Sequence, residues 1–149
     1  MRSLSPITLV AIFAAIVGLV ALAPAYRRRA ALSLARPGIA IAIFPPLAML
    51  GLFYSLAIHM RQSLGAWPSS IGNRGFSPLL VAHADIVSRY SVALLLLSLF
   101  VLPVVILVCL LVPRWKRFVP YLVLYALLYL VCWGLMLLAP EPFLNWWWD

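Results

Sequence analysis

Apolar residues gather into four long segments that contain no Asp, Glu, Lys, Arg or His. The segments are residues 7–25, 38–58, 90–112 and 118–139, and together they fill more than half of the 149-residue chain. Each is long enough to cross the hydrocarbon core of a bilayer, for which a helix needs about 20 residues. The pattern predicts an all-α membrane protein with four transmembrane helices.

The connections between these segments differ in length. Residues 26–37 and 113–117 form short links, which favour antiparallel helix pairs, and residues 59–89 form the one long link. We therefore expect two antiparallel hairpins joined by a long outer loop between helices 2 and 3. With so few residues outside the apolar segments, the chain predicts a single integral-membrane domain, 1–149, without a separate soluble domain.

Positive charge indicates the orientation in the membrane. The net charge is +8, and seven of the eleven basic residues lie in the first and third connections: Arg27, Arg28, Arg29, Arg36, Arg114, Lys116 and Arg117. The positive-inside rule makes that side cytoplasmic, so both termini are expected on the outer side of a bacterial inner membrane. Because the basic residues are scattered over short loops, nucleic acid is not an expected partner.

Two histidines flank the long connection, His59 after the second apolar segment and His83 before the third. This places both at a similar depth near the outer surface. Two neutral imidazoles on neighbouring helices can ligate a haem or a chlorophyll, whereas isolated interfacial histidines act as plain polar caps. We expect the two histidines to be polar caps at the membrane interface. Cofactor binding at His59 and His83 is the alternative.

Three charged residues lie near the same histidines. Asp85 and Arg89 are four residues apart, and an early start of the third helix would make them an ion pair on one helical face. A different arrangement would let Asp85 orient or deprotonate His83 in a polar site with Arg61. The sequence leaves both readings of this outer polar cluster open.

Large aromatic residues occur where a solvated linker or a lipid-facing helix would not require them. Trp67 and Phe76 in the long connection predict a loop that folds back on the helices, and Trp146, Trp147 and Trp148 predict anchors at the membrane interface. The fourth segment carries a stripe of tyrosines, Tyr121, Tyr125 and Tyr129. Their hydroxyls need partners, so this stripe is expected to pack inward or against another subunit, with Ser91 and Ser98 as candidate partners. A tyrosine-lined quinone groove is the alternative.

Catalytic and transport signatures are absent from the sequence. There is no charged residue within an apolar segment, no nucleophile elbow, no phosphate loop and no zinc-protease motif. We therefore expect a non-enzymatic accessory or assembly subunit that contacts the bilayer and other membrane subunits through Trp67, Phe76, Tyr121, Tyr125 and Tyr129. The alternatives are a haem- or pigment-binding electron-transfer protein that uses His59 and His83, and a membrane enzyme that acts on a lipid or quinone at the outer face.

Overall fold

A computed structural model describes residues 36–68, 72 and 75–148, and every regular element in these residues is helical. In chain order they are helix α1 (Arg36–Leu64), helix α2 (Pro78–Leu96), a π-helical turn (Leu97–Val101), helix α3 (Leu102–Leu111), a 3₁₀ turn (Pro113–Phe118), helix α4 (Val119–Met136) and helix α5 (Glu141–Trp148). The first predicted segment, residues 7–25, lies outside the described residues. A fourth spanning helix and the predicted hairpins therefore stay predictions.

Three stretches of the described chain are long and apolar enough to cross a membrane. They are Pro37–Leu64, Pro78–Leu111 and Pro113–Met136, with 28, 34 and 24 residues. Each exceeds the about 20 residues that the hydrocarbon core requires. The prediction of a helical, membrane-compatible protein is therefore confirmed by the length and composition of these three helices.

The long connection is shorter than the predicted loop of residues 59–89. Helix α1 continues to Leu64, and α2 already begins at Pro78. Local signals explain both boundaries. Gly65 adopts a positive φ of 68° after the last turn of α1, as C-terminal caps often do. The Ser77 hydroxyl accepts a hydrogen bond from the Leu80 N–H at 3.3 Å, with proline at the first helical position. The apolar segments underestimated the lengths of both helices, because α1 continues and α2 begins in sequence that contains polar residues.

Prolines affect two of the spanning stretches differently. Helix α1 contains Pro45 and Pro46 and stays helical through both. Before Pro103 the backbone widens into the π-helical turn Leu97–Val101. Proline has no N–H to offer the carbonyl four residues earlier, and its ring collides with that carbonyl. A wider turn relieves this conflict, so the loosening that Pro103 predicts takes the form of a π turn.

Close contacts divide the chain into two compact units. Among the described residues, we call 36–44 with 96–130 the turn unit, because it holds the 3₁₀ turn, and 45–95 with 131–148 the loop unit. One boundary falls at the Pro45–Pro46 pair, and another falls next to the π turn. The divisions therefore coincide with irregular positions in two of the helices.

In the turn unit, two tyrosines of the stripe pack inward, which is one of the two arrangements that the sequence left open. Tyr125 and Tyr129 are 7% and 4% exposed, and their rings stack with centroids 6.1 Å apart. The Tyr125 hydroxyl shares a 2.8 Å hydrogen bond with the buried Ser98 hydroxyl. Tyr121 packs tightly on α1, since a Cβ added to Gly38 would lie 2.6 Å from its ring. Tyr125 and Tyr129 are therefore buried within the turn unit.

In the loop unit, aromatic rings form the core. Phe53 and Phe143 are fully buried, with ring centroids 5.0 Å apart. The connection folds back onto them as predicted: the Trp67 ring lies 6.1 Å from Phe143, and the Phe76 ring lies 5.6 Å from Trp146. Helix α5 brings Phe143 and Trp146 here, and the sequence analysis did not predict this helix.

Candidate functional site

His59 and His83 meet within the loop unit. His59 lies near the end of α1 and His83 near the start of α2, and their ring centroids are 5.2 Å apart. The two Nδ1 atoms are 2.9 Å apart, within hydrogen-bond distance. The other nitrogen of His83, Nε2, lies 3.2 Å from the Ser55 hydroxyl. Ser55 precedes His59 by one helical turn, so both face α2 from the same side of α1.

The donors available fix the directions of these hydrogen bonds. The Ser55 hydroxyl donates to the Leu52 carbonyl oxygen at 2.8 Å, which uses its one hydrogen. His83 Nε2–H must then donate to Ser55, and His83 Nδ1 must accept from His59 Nδ1–H. We call this arrangement the histidine chain. In the neutral pair, the remaining ring nitrogen, His59 Nε2, carries a lone pair.

The histidine chain differs from a nucleophile–base pair. In such a pair the hydroxyl proton of the serine points at the histidine that will remove it. Here the Ser55 proton is committed to a backbone carbonyl, and the serine accepts from His83. The arrangement orients two imidazoles and leaves Ser55 unactivated.

The charged residues separate into two groups. Arg89 donates through Nε to Asp85 at 2.8 Å, which is the i, i+4 pair that an early start of α2 implies. Both side chains are largely exposed, at 80% and 52%. The Arg61 guanidinium instead lies over the Trp67 ring, 5.3 Å from its centroid. Asp85 therefore pairs with Arg89, while His83 bonds to Ser55 and His59.

An open groove of about 1030 Å³ runs along a second face of α2 in the loop unit. Asp85, Ser88, Ser91, Val92 and Leu95 line one wall, and they recur at the three- and four-residue spacing of one helical face. Tryptophans from α4 and α5 form part of the opposite wall: Trp133, Trp146, Trp147 and Trp148. His83 does not line this groove, so α2 presents two chemically different faces.

Ser91 stands out among the groove residues. Its hydroxyl oxygen is buried and has no hydrogen-bond partner within the described part of the chain. The sequence analysis proposed Ser91 as a partner for a tyrosine hydroxyl, and the structure contradicts this. The adjacent Tyr90 hydroxyl donates to the Pro45 carbonyl oxygen at 3.2 Å instead. A buried hydroxyl without a partner costs free energy unless another molecule satisfies it.

The geometry narrows the cofactors that the histidines fit. A haem held between two histidines needs the rings on opposite sides of the porphyrin, whereas these rings bond directly to each other. Coordination of a tetrapyrrole metal by one histidine does fit this geometry. A ligating histidine donates its other ring N–H to a neighbouring acceptor, as His59 does to His83. Among the described residues, no three His, Cys, Asp or Glu side chains cluster as metal ligands.

Sequence reasoning named both histidines, the Asp85–Arg89 spacing and Ser91, but it missed Ser55 and gave Ser91 a different role. Ser55 lies four residues before His59, a spacing that puts both on one helical face, and this signal was available. The isolation of Ser91 carried no sequence signal, because it depends on which neighbours pack around α2.

Comparisons with known proteins supply no family for this chain: no family model, no curated protein and no solved structure matches it.

Proposed function

We propose that this chain is a small, non-enzymatic integral membrane protein that serves as an accessory or assembly subunit of a larger membrane complex. The observation that carries the proposal is an exposed face of α1 with a glycine at its centre. Gly51 is exposed, and Leu47 and Ile58 flank it with exposed fractions of 48% and 57%. A small residue in the middle of such a face allows a second transmembrane helix to approach closely.

The space beside Gly51 supports the same reading. Among the described residues, a Cβ added to Gly51 would have nothing within 4 Å, so this part of the chain leaves the backbone of α1 open there. The aromatic residues that sequence analysis suggested as partner contacts are less suitable, since Tyr125 and Tyr129 are buried. The exposed face of α1 therefore replaces the tyrosine stripe as the proposed partner surface.

The proposed location is a bacterial inner membrane with the 3₁₀ turn on the cytoplasmic side. Support comes from Arg114, Lys116 and Arg117, which are all exposed on the turn Pro113–Phe118.

The subunit proposal is tested with Gly51→Ile in the full chain, extracted gently from its own membranes and analysed by native mass spectrometry. Isoleucine would hold the partner helix away, so we expect loss of most of the assembly. The matched control is Gly134→Ile, because Gly134 also lies in a spanning helix with open space beside it. An assembly that survives Gly51→Ile unchanged, or a wild-type chain that is always alone, would contradict the proposal.

The histidine chain favours a second candidate, a tetrapyrrole-binding electron-transfer protein. His59 Nε2 would hold the iron or magnesium, and His83 would fix the His59 ring by accepting its Nδ1 proton. The bound group would supply one-electron or pigment chemistry.

Absorbance spectra of the protein from native membranes test this second candidate. If His59 is the ligand, His59→Ala removes the visible bands, whereas His83→Ala keeps a bound chromophore with shifted bands. Equal loss in both variants would indicate that both histidines ligate, and a colourless wild-type protein would eliminate the candidate.

A further inference from the structure

We propose that the 3₁₀ turn Pro113–Phe118 binds the head group of one anionic phospholipid, with the lipid phosphate held by Arg114 and Arg117. The turn lies between α3 and α4, which belong to two successive spanning stretches. It therefore lies at one surface of the bilayer, at the level of the lipid head groups. All six residues of the turn are exposed, so a lipid can reach each of them. This inference does not depend on the subunit proposal.

The 3₁₀ geometry sorts the exposed side chains of the turn into two ridges. With three residues per turn, side chains three positions apart eclipse each other. Arg114 and Arg117 therefore share one ridge, the basic ridge, while Trp115 and Phe118 share the next, the aromatic ridge. At about 2.0 Å per residue, the two arginines are separated by about 6 Å along the axis. Two long side chains at this spacing can direct their guanidinium groups at the oxygens of one phosphate.

The basic ridge has no counter-ion in its own unit. The described turn unit, residues 36–44 and 96–130, contains no Asp or Glu. The one ion pair in the described part of the chain joins Arg89 to Asp85, in the loop unit. Lys116 adds a third exposed positive charge to the turn. Basic residues clustered at a membrane surface attract anionic lipids, so the turn carries positive charge that an anionic head group would neutralise.

The lack of acidic residues in this unit also selects the charge of the lipid. A zwitterionic head group carries a cation beside its phosphate, and the described turn unit offers that cation no carboxylate. An anionic head group brings a phosphate without this unpaired cation. Guanidinium groups are suited to the phosphate, because their planar array of N–H groups can donate two parallel hydrogen bonds to it.

The aromatic ridge fixes one of the two arginines. The Arg117 guanidinium lies over the Phe118 ring, 4.9 Å from its centroid. Stacking uses the flat face of a guanidinium and leaves the N–H groups at its edge free to donate. Trp115 and Phe118 are 44% and 43% exposed, and amphipathic tryptophan rings favour the membrane interface. The aromatic ridge therefore orders Arg117 and holds the turn at the depth of the head groups.

Native mass spectrometry of the delipidated full chain in detergent tests the proposal. The probes are phosphatidylglycerol and phosphatidylcholine with identical acyl chains, titrated separately. We expect phosphatidylglycerol to bind about tenfold more tightly, because it presents a phosphate without a cation to a turn that has only positive charges. Equal affinity for the two lipids would overturn the proposal.

Variants then assign the preference to the turn. Arg114→Gln combined with Arg117→Gln should reduce the preference for phosphatidylglycerol to less than about twofold. The matched control combines Arg61→Gln with Arg89→Gln, which removes the same net charge from two exposed arginines of the loop unit. Arg61 also stacks on an aromatic ring, that of Trp67, as Arg117 does on Phe118.

The control should keep most of the preference, and circular dichroism checks that both double variants stay helical. An equal loss in the two double variants would show that overall charge attracts the lipid and would overturn the proposed site. Full preference in the variant that lacks Arg114 and Arg117 would also overturn it.

The occupant itself is identified by a photoreactive residue at Trp115 in native membranes. A cross-link to an anionic phospholipid supports the proposal. A cross-link to a protein or a nucleic acid, or none to a lipid, would overturn it. Glycerol 3-phosphate is the soluble competitor: if it displaces phosphatidylglycerol at equal concentration, the turn recognises a free phosphate and the lipid proposal is wrong.

Discussion

The two faces of α2 differ in how their polar groups are satisfied. On the face toward α1, His83 uses both ring nitrogens, one for Ser55 and one for His59. On the groove face, the Ser91 hydroxyl is buried with no partner among the described residues. The polar groups of the first face are therefore satisfied, whereas the second face carries one buried hydroxyl that is not. Substitutions on the two faces should therefore have opposite effects on the isolated protein.

The largest effect is expected for His83→Ala. The substitution leaves Ser55 Oγ and His59 Nδ1 without their shared partner, so we expect the free energy of unfolding to fall by about 2 kcal/mol. Thermal unfolding in detergent measures it. His59→Ala is the matched comparison and should cost less, because it breaks only the outermost hydrogen bond of the chain. If both variants are as stable as the wild type, the histidine chain does not stabilise the packing of α2 against α1.

A smaller effect of opposite sign is expected for Ser91→Ala. Removing a buried hydroxyl that has no partner relieves its desolvation cost, so the lipid-free protein should be stabilised by up to about 1 kcal/mol. Ser88→Ala is the control, because it makes the same change in helix propensity on the same helix. A clear loss of stability in Ser91→Ala relative to Ser88→Ala would show that Ser91 already has a partner.

The smallest effect is expected for Arg89→Gln. This pair lies four residues apart on one helix and is exposed to solvent, where ion pairs contribute little to stability. We expect no measurable change in the unfolding temperature of the protein in detergent. A marked loss of stability would place the pair in the structural role that this comparison assigns to His83.

Particular residues show where sequence reasoning succeeded. The apolar segments predicted the spanning stretches, because burial of about 20 apolar residues in a bilayer is a local property. Ser98 and the tyrosine stripe predicted an inward hydrogen bond, and the structure confirms it at Tyr125. The i, i+4 spacing of Asp85 and Arg89 offered an ion pair as one of two readings, and the structure contains that pair. Each of these inferences depends on the periodicity of a single segment or on one pair of complementary side chains.

Other residues show where it failed. The loop boundaries were placed at 59 and 89 because apolarity was followed instead of the caps at Gly65 and Ser77. Helix α5 was not predicted from the sequence, which indicated only interfacial anchors at Trp146, Trp147 and Trp148. The two loop boundaries, by contrast, have local signals in the chain, namely the Ser77–Pro78 start and the glycine end.

By itself the sequence determined that this protein is helical, that it suits a membrane, and that its polar chemistry lies near His59, His83, Asp85 and Arg89. Only the tertiary structure decided that the two imidazoles bond to each other, and that Ser91 is buried beside a groove. The reason is geometric. Periodicity assigns a residue to a face of its own helix, whereas hydrogen bonds between helices depend on axial offset and rotation, which a few tenths of a turn can change.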